Sequence, residues 1–437
     1  MRYSIFNVYV RDELSECVLI KNMLSGAIVS VPSALFDAIP RGTENIDGQL
    51  ASYCFDPTDL SSNGILVSQD LDEANSWREQ LLKTRNKEAH CFVLHFLPTI
   101  QCQLRCRYCF ENGVDRGLPM KPETVLATLK WVDEYLSCFP EIDEFRMVLF
   151  GGEPLLRSDI GIDAIARVQA ICLDRQIEFW TEIVTNGELL TEVIAKKLSQ
   201  YNWRRAQITL DGPEVVHNAR RPGVNGRSTF ERITENIRML LTTDYILKVD
   251  VRLSFDGTNC DEVITFLDEL ARFPNTNRIN LSLGLITDTF VYQGDRNDHL
   301  VAQKALGFWA KAKSLGFVIP EDYVAGPLCV AVAKHAAVVQ PDGNLQKCFA
   351  ASGRSQYNFG SVRSTLDTYT QDERYEQWGR TDDCIAEKCA FLPVCGGGCP
   401  QDAIVASNSD QGGRNRFCQK SLLSSMNHGL VKINYGL

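Results

Sequence analysis

The sequence predicts an α/β fold: a partial (β/α)6 barrel of the TIM type, with a small module of strands and helices before it and a loop-rich region after it. Three observations carry this reading. Between Phe92 and about Leu315, strand-like apolar runs alternate six times with amphipathic helical segments. A loop holding Cys102, Cys106 and Cys109 follows the first of those runs directly. Seven of the chain's 16 cysteines crowd between Cys329 and Cys418, where periodicity weakens.

Residues 1–90 come first. Ile5 to Val10, Cys17 to Lys21 and Ala27 to Val31 read as strands with a turn at Ser25-Gly26, and Pro32-Ser33 opens a short helix through Leu35 and Ile39. Ile65-Leu66-Val67 gives a further strand, and Asp70 to Arg85 a polar helix. The pattern is that of a small winged-helix-like module or of a plain structural extension.

Residues 91–320 form the barrel. The predicted strands are Phe92–Ile100, Phe145–Phe150, Ile177–Thr185, Arg205–Leu210, Leu247–Phe255 and Ile279–Ile286. Between them, Val125, Leu129, Val132 and Leu136, and then Phe230, Ile233, Ile237 and Leu240, recur at helical spacing. Lys121-Pro122-Glu123 starts the first helix with proline at a position a helix tolerates. Right-handed crossovers curl such a sheet into a barrel whose active site lies at the C-terminal strand ends. The three-cysteine loop sits at the first such end.

In residues 321–437, Cys329, Cys348, Cys384, Cys389, Cys395, Cys399 and Cys418 are interleaved with Pro327, Pro341-Asp342-Gly343, Pro393 and Gly396-Gly397-Gly398. This predicts a region in which ligated metal replaces an apolar core. Cys17, Cys54, Cys91, Cys138, Cys172 and Cys260 stand singly, and each is expected to be a small buried side chain.

Composition narrows the function. The 437 residues are 44% hydrophobic with a net charge of −10, which disfavours sequence-independent binding to nucleic acid. No apolar run approaches the ~18 residues of a membrane span. The N-terminus reads as a strand and not as a signal peptide, so a cytoplasmic location is expected, with cysteines kept for metal. Cys102, Cys106 and Cys109, at C-x₃-C-x₂-C spacing, suit an iron–sulfur cube that keeps one iron open. A zinc knuckle, a disulfide pair or buried thiols are the alternatives. Zinc would need a fourth Cys or His, and the nearest histidines, His90 and His95, precede the loop.

Four motifs resemble those of radical S-adenosylmethionine (SAM) enzymes. They are the three-cysteine loop, Gly151-Gly152-Glu153-Pro154 after the second strand, Thr185-Asn186-Gly187 after the third, and Leu210-Asp211-Gly212-Pro213 after the fourth. The C-terminal cysteines resemble the SPASM extension of that family, and together the resemblance spans roughly residues 92–425. It implies a [4Fe–4S] cluster on Cys102, Cys106 and Cys109 whose open iron chelates SAM, and cleavage of SAM to a 5′-deoxyadenosyl radical that abstracts hydrogen from substrate. It implies that Tyr108 packs on adenine and that Glu153 or nearby backbone receives the SAM ammonium. Gly151, Gly152 and Pro154 would shape that strand end. Thr185 and Asn186 would contact ribose or methionine, and Arg221 the SAM carboxylate. His217 is expected to be structural.

The same resemblance implies two auxiliary clusters. Cys384, Cys389, Cys395 and Cys418 would hold one, although Cys384 and Cys389 are separated by four residues where the family commonly has two. Cys329, Cys348 and Cys399 would hold the other. No cysteine lies between Glu321 and Leu328, so this inner cluster would also have an open iron unless Cys54, Cys91 or another distant cysteine closes it.

The implied function is maturation of a ribosomally made peptide. Residues 1–90 would capture its leader as an added strand, a flavodoxin or ferredoxin would supply electrons, and the product would be an intramolecular cross-link, foremost a cysteine thioether. A C–C or C–O cross-link is the nearest alternative. A formylglycine-forming sulfatase maturase is the other, but those enzymes carry an acidic residue directly after the second SPASM cysteine, where this chain has Phe349. A non-catalytic iron–sulfur or peptide-binding protein would not cleave SAM at all.

Overall fold

A computed structural model describes residues 1–12, 14–39, 46, 50, 57–87, 90–286, 288–289, 292–293, 298–324, 329–364, 381–408 and 417–437. The chain begins with β1 (Arg2–Tyr3), followed by an antiparallel sheet of β2 (Asn7–Asp12), β3 (Cys17–Asn22) and β4 (Ile28–Pro32). Helices Ser33–Ala38 and Pro57–Ser62 follow, then β5 (Leu66–Val67), which pairs antiparallel with β1, and helix Glu73–Lys87. Val18, Ile20, Val31, Leu35, Phe36, Leu60 and Ile65 give this part its own small core. Cys54 lies outside the described residues.

The barrel strands are β6 (Cys91–Phe96), β7 (Glu144–Leu149), β8 (Glu178–Thr185), β9 (Trp203–Leu210), β10 (Val249–Phe255) and β11 (Ile279–Leu285). They pair parallel in sequence order, as the alternation predicts. Helix Pro122–Cys138 does begin with its proline in the first turn, where the missing N–H costs nothing. It turns Val125, Trp131, Val132, Tyr135 and Leu136 onto the sheet. Helix Phe230–Thr242 does the same with Phe230, Ile233, Ile237, Leu240 and Leu241.

The C-terminal third does not stand apart from the barrel. Strand β12 (Ala336–Val339) pairs parallel with β6, Phe96 opposite Val339. It then hands on, antiparallel, to β13 (Asn344–Gln346) and β14 (Gly360–Ser361), giving one sheet of nine strands. Ala337, Val339, Leu345, Leu422, Met426 and Leu430 join the barrel's own core, so apolar packing does not divide at residue 320. Every described cysteine is free; Cys172 and Cys260 are buried as expected, but Cys138 is exposed at the end of its helix, where no sheet covers it. No described helix is long and apolar enough to cross a membrane.

Candidate functional site

A cavity of about 540 Å³ opens at the C-terminal ends of the barrel strands. Cys102, Cys106 and Cys109 all line it, from the loop that leaves β6. Burial pushes the thiols of Cys102 and Cys109 up to about 12, so neither would ionise by itself near neutrality. A metal that replaces the proton removes that penalty. Among the described residues no three His, Cys, Asp or Glu side chains converge on a single ion. A cube asks for less, because each thiolate meets its own iron. Three thiols on one loop, opening on one cavity, therefore fit a three-coordinated cluster.

The end of β7 is welded to this loop. Glu153 N–H donates to Gln101 O at 2.9 Å, and Gly152 N–H to Thr99 O at 3.3 Å. A Cβ on Gly151 would stand 2.2 Å from Thr99 O, and one on Gly152 2.4 Å from Ile100 O. Gly151 has φ +127°, a backbone that side chains rarely adopt. Both glycines line the cavity.

Glu153 itself does not line the cavity, and neither does Pro154, which is buried as the first residue of the turn Pro154–Arg157. Of the two alternatives expected for the SAM ammonium, Glu153 or nearby backbone, it is the backbone that lines the cavity here. The carboxylate is fully buried and accepts from Leu155 N (3.0 Å), Asn186 N (2.8 Å) and Thr185 Oγ1 (2.8 and 2.9 Å to its two oxygens). Burial raises its pKa to about 7 despite these donors. Glu153 ties the end of β7 to the end of β8. What faces the cavity there is the backbone of Gly151 and Gly152, together with Thr185 and Asn186.

Asn186 reaches the cysteine loop directly. Its Nδ2 lies 3.8 Å from Cys102 Sγ, and its Oδ1 accepts from Gln103 Nε2 at 3.3 Å. Within the loop, Tyr108 donates its hydroxyl to the buried Asp211 at 2.7 Å and accepts from Arg221 Nη1 at 2.9 Å. Arg220 stacks 5.3 Å over the Tyr108 ring and ion-pairs with Asp211 at 3.0 Å. Arg221 lines the cavity with Nε buried and unpartnered, a donor suited to a carboxylate. His217 is buried between Asp211 N (3.4 Å) and Thr229 Oγ1 (3.2 Å), and burial holds it neutral, the structural role expected of it.

Six of the seven C-terminal cysteines gather in two groups, Cys329 with Cys348 and Cys399, and Cys384 with Cys389 and Cys395. Cys348 is buried, and its thiol is raised well above the ordinary range by burial and then by Cys329 and Cys399. Burial and then Cys384 raise the Cys395 thiol to about 11, with Cys389 adding to it. The long spacing from Cys384 to Cys389 is taken up by helix Asp382–Ala386, a left-handed Lys388 (φ 49°) and a 3.0 Å bond from Cys389 N to Cys384 O. Cys418 is exposed, and the preceding Phe417 N bonds Gly397 O at 3.1 Å, beside the turn that follows Cys395. Cys91 begins β6, at the end of the sheet away from the cavity. Val330 and Phe349, which adjoin Cys329 and Cys348, line the same cavity as the three-cysteine loop.

Several lining residues were not singled out from sequence. Arg146 and Val148 on β7, Glu182 and Val184 on β8, Arg205, Gln207 and Thr209 on β9, and Arg252 and Ser254 on β10 all point inward. The available signal was their spacing of two within strands that, in a parallel sheet, are otherwise apolar on both faces.

Comparison with known proteins agrees with this geometry. The radical SAM superfamily profile matches residues 96–270. Molybdenum cofactor biosynthesis protein 1 of Drosophila melanogaster is 29% identical over 179 residues, 41% of this chain and 29% of that protein. GTP 3′,8-cyclase of Aquifex aeolicus is 30% identical over 186 residues, 41% of this chain and 52% of that enzyme. The chain thus spans about half or less of the curated relatives it matches. The solved structure of anSMEcpe with bound AdoMet superposes with a TM-score of 0.61 at 17% identity, covering 79% of this chain and 98% of that one. SuiB of Streptococcus suis bound to S-adenosylmethionine gives 0.55 at 14% identity, covering 96% and 100%. These likenesses show the fold. Residues 96–270 thus match the radical SAM superfamily, and the three thiols at the first strand end with a cavity beside them fit the [4Fe–4S] cluster and SAM which that superfamily implies.

Proposed function

We propose that the chain is a radical SAM peptide maturase with a SPASM-type extension, which installs an intramolecular cross-link, foremost a cysteine thioether, in a ribosomally made precursor. The observation that carries this is one cavity lined both by Cys102, Cys106 and Cys109 and by Val330 and Phe349, the neighbours of Cys329 and Cys348. Bound at the first three cysteines, the cluster and SAM supply a 5′-deoxyadenosyl radical that takes hydrogen from the substrate. The chain's own residues do the rest. Gly151, Gly152, Thr185 and Asn186 shape the methionine end of the SAM site, with Glu153 fixing their strand ends. Arg221 offers its unpartnered Nε to the SAM carboxylate, and Tyr108 packs against the adenine.

Cys329, Cys348 and Cys399 would hold an inner auxiliary cluster with a place for a substrate thiolate, and Cys384, Cys389, Cys395 and Cys418 an outer one. An electron donor of the flavodoxin or ferredoxin kind would serve all three. Phe349 stacks on His95 (5.5 Å, 27° between planes) and offers no base at that position, which argues against formylglycine formation. SuiB has been solved with its precursor peptide SuiA and anSMEcpe with the Kp18Cys peptide, and both support a peptide as substrate class. Residues 1–90 would bind the leader.

Anaerobic reduction of the reconstituted protein with SAM should release 5′-deoxyadenosine, and Cys102→Ala should abolish it. Absence of product from a fully loaded wild type would defeat the proposal. A chain lacking residues 1–90 that still bound its leader normally would remove the recognition role.

A further inference from the structure

Four arginines line the cavity, Arg146, Arg205, Arg221 and Arg252, and three are neutralised from within the protein. Arg146 pairs with Glu182 at 2.6 Å. Arg205 pairs with Asp250 and lies 3.8 Å from Glu182. Arg221 lies 3.8 Å from the buried Asp211.

Arg252 is different. Among the described residues it makes no ion pair and no hydrogen bond, and the charged groups facing it are Arg205 and Arg221, both of its own sign. Its other ionisable neighbours are the hydroxyls of Tyr108 and Tyr323. Asp250, two residues earlier on β10, is already engaged by Arg205 and by Asn280 Nδ2 at 2.8 Å. A cation held out of bulk water beside two like charges lowers the stability of the free protein, and an anion entering the cavity relieves that cost.

The seat of this side chain is specific. A Cβ on Gly284 of β11 would stand 2.6 Å from Arg252 Nε and 2.7 Å from Cζ and Nη2. Gly284 has no left-handed backbone to explain its glycine. The guanidinium lying over it does. Ser254 lines the cavity on the same strand and adds a hydroxyl two residues on.

We infer that Arg252, seated on Gly284, is the recognition group for a carboxylate on the substrate, so that the side chain presented to the cavity comes from an aspartate or glutamate. The inference rests on the peptide-maturase reading and names its substrate class. The planar fork of arginine matches a carboxylate with two parallel bonds. A single unneutralised arginine suits one carboxylate better than the several charges of a nucleotide triphosphate.

The test titrates the reconstituted full chain, with SAM present, by calorimetry against acetyl-Ala-Glu-Ala-amide and acetyl-Ala-Gln-Ala-amide, with GTP as a separate arm. The glutamyl peptide should bind at least ten-fold more tightly than the glutaminyl one. Arg252→Gln should erase that preference and Arg252→Lys should restore part of it. Gly284→Ala should weaken it with Arg252 still present, an effect that loss of charge alone does not give. Iron content and far-UV spectra verify that each variant is folded and loaded.

Equal binding of the two peptides by the wild type, or a preference that survives Arg252→Gln, overturns the inference. So does GTP binding that exceeds that of the glutamyl peptide and vanishes in Arg252→Gln. Release of 5′-deoxyadenosine from the same wild-type sample separates the two levels. Its absence defeats the underlying reading, whereas its presence with equal peptide binding defeats the carboxylate assignment alone.

Discussion

Glu153 accepts from three donors on two strand ends, the Thr185 hydroxyl shared between both of its oxygens, and this is more than its amide could do. Glu153→Gln is therefore expected to leave iron content unchanged while loosening Thr185 and Asn186. A charged acceptor is worth about 1.5–3 kcal/mol, so the KM for SAM should rise roughly ten-fold or more. Gly152→Ala should act earlier, because its methyl group would meet the carbonyls of Ile100 and Gln101 at 2.4 and 2.5 Å. The loop would have to move, with a cost on the order of 1–3 kcal/mol and a measurable fall in iron per chain on reconstitution. The cysteines of this site were legible in sequence because thiolate spacing is a local property. The orientation of Glu153 was not, since a carboxylate next to a glycine pair can face a ligand or the protein, and only the neighbouring strand end decides.

Elements were legible in proportion to their repetition. Six apolar strands with amphipathic helices between them announce a parallel sheet, because strands covered on both faces must be apolar throughout. Strand β12 escaped that logic. Ala336-Ala337-Val338-Val339 is only four residues long, and its partner β6 lies far upstream, so no local period reveals it. His335, just before it, carries a consequence for pH. It is buried against Tyr135, whose hydroxyl lies 2.8 Å from its Nδ1, and burial lowers its pKa to about 4. The unfolded chain takes up a proton near pH 6.5 where the folded one does not, so stability is retained above that value and lost as pH falls towards 4. Between pH 7 and pH 5 the loss should be about 2 kcal/mol. His335→Gln should flatten that slope in urea-midpoint measurements.

The whole molecule is held together at its two ends. Val8 and Met23 of the N-terminal part pack with Phe391, Val394, Cys395 and Leu423, and Phe6 and Trp77 pack with Cys384 and Leu392. Lys21, 2% exposed, pairs with Asp322 and donates to Glu321 O at 2.9 Å. Lys21→Met should strip about 1–3 kcal/mol from this contact and speed hydrogen exchange in β2 to β4, while the barrel strands keep their protection. Sequence separated these regions because their compositions differ. Their joint core depends on contacts between residues hundreds of positions apart, which composition does not register.

The pairing of β12 with β6 also sets a length. The loop of Cys102, Cys106 and Cys109 leaves β6, and the chain reaches Cys348 two strands after leaving Cys329, through β12 and β13. In that ladder Ala336, Ala337, Val338 and Val339 face Val93, Leu94, His95 and Phe96, so the three-cysteine loop leaves at the Val339 end while Cys329 enters, and β13 runs back towards Cys348, at the Ala336 end. A slip that kept the same faces turned inward would be two residues, about 7 Å along the strand. The backbone register thus acts as a gauge block. It fixes how the end of β6 stands against β12 before any metal arrives, and it lets that offset change in coarse steps or not at all.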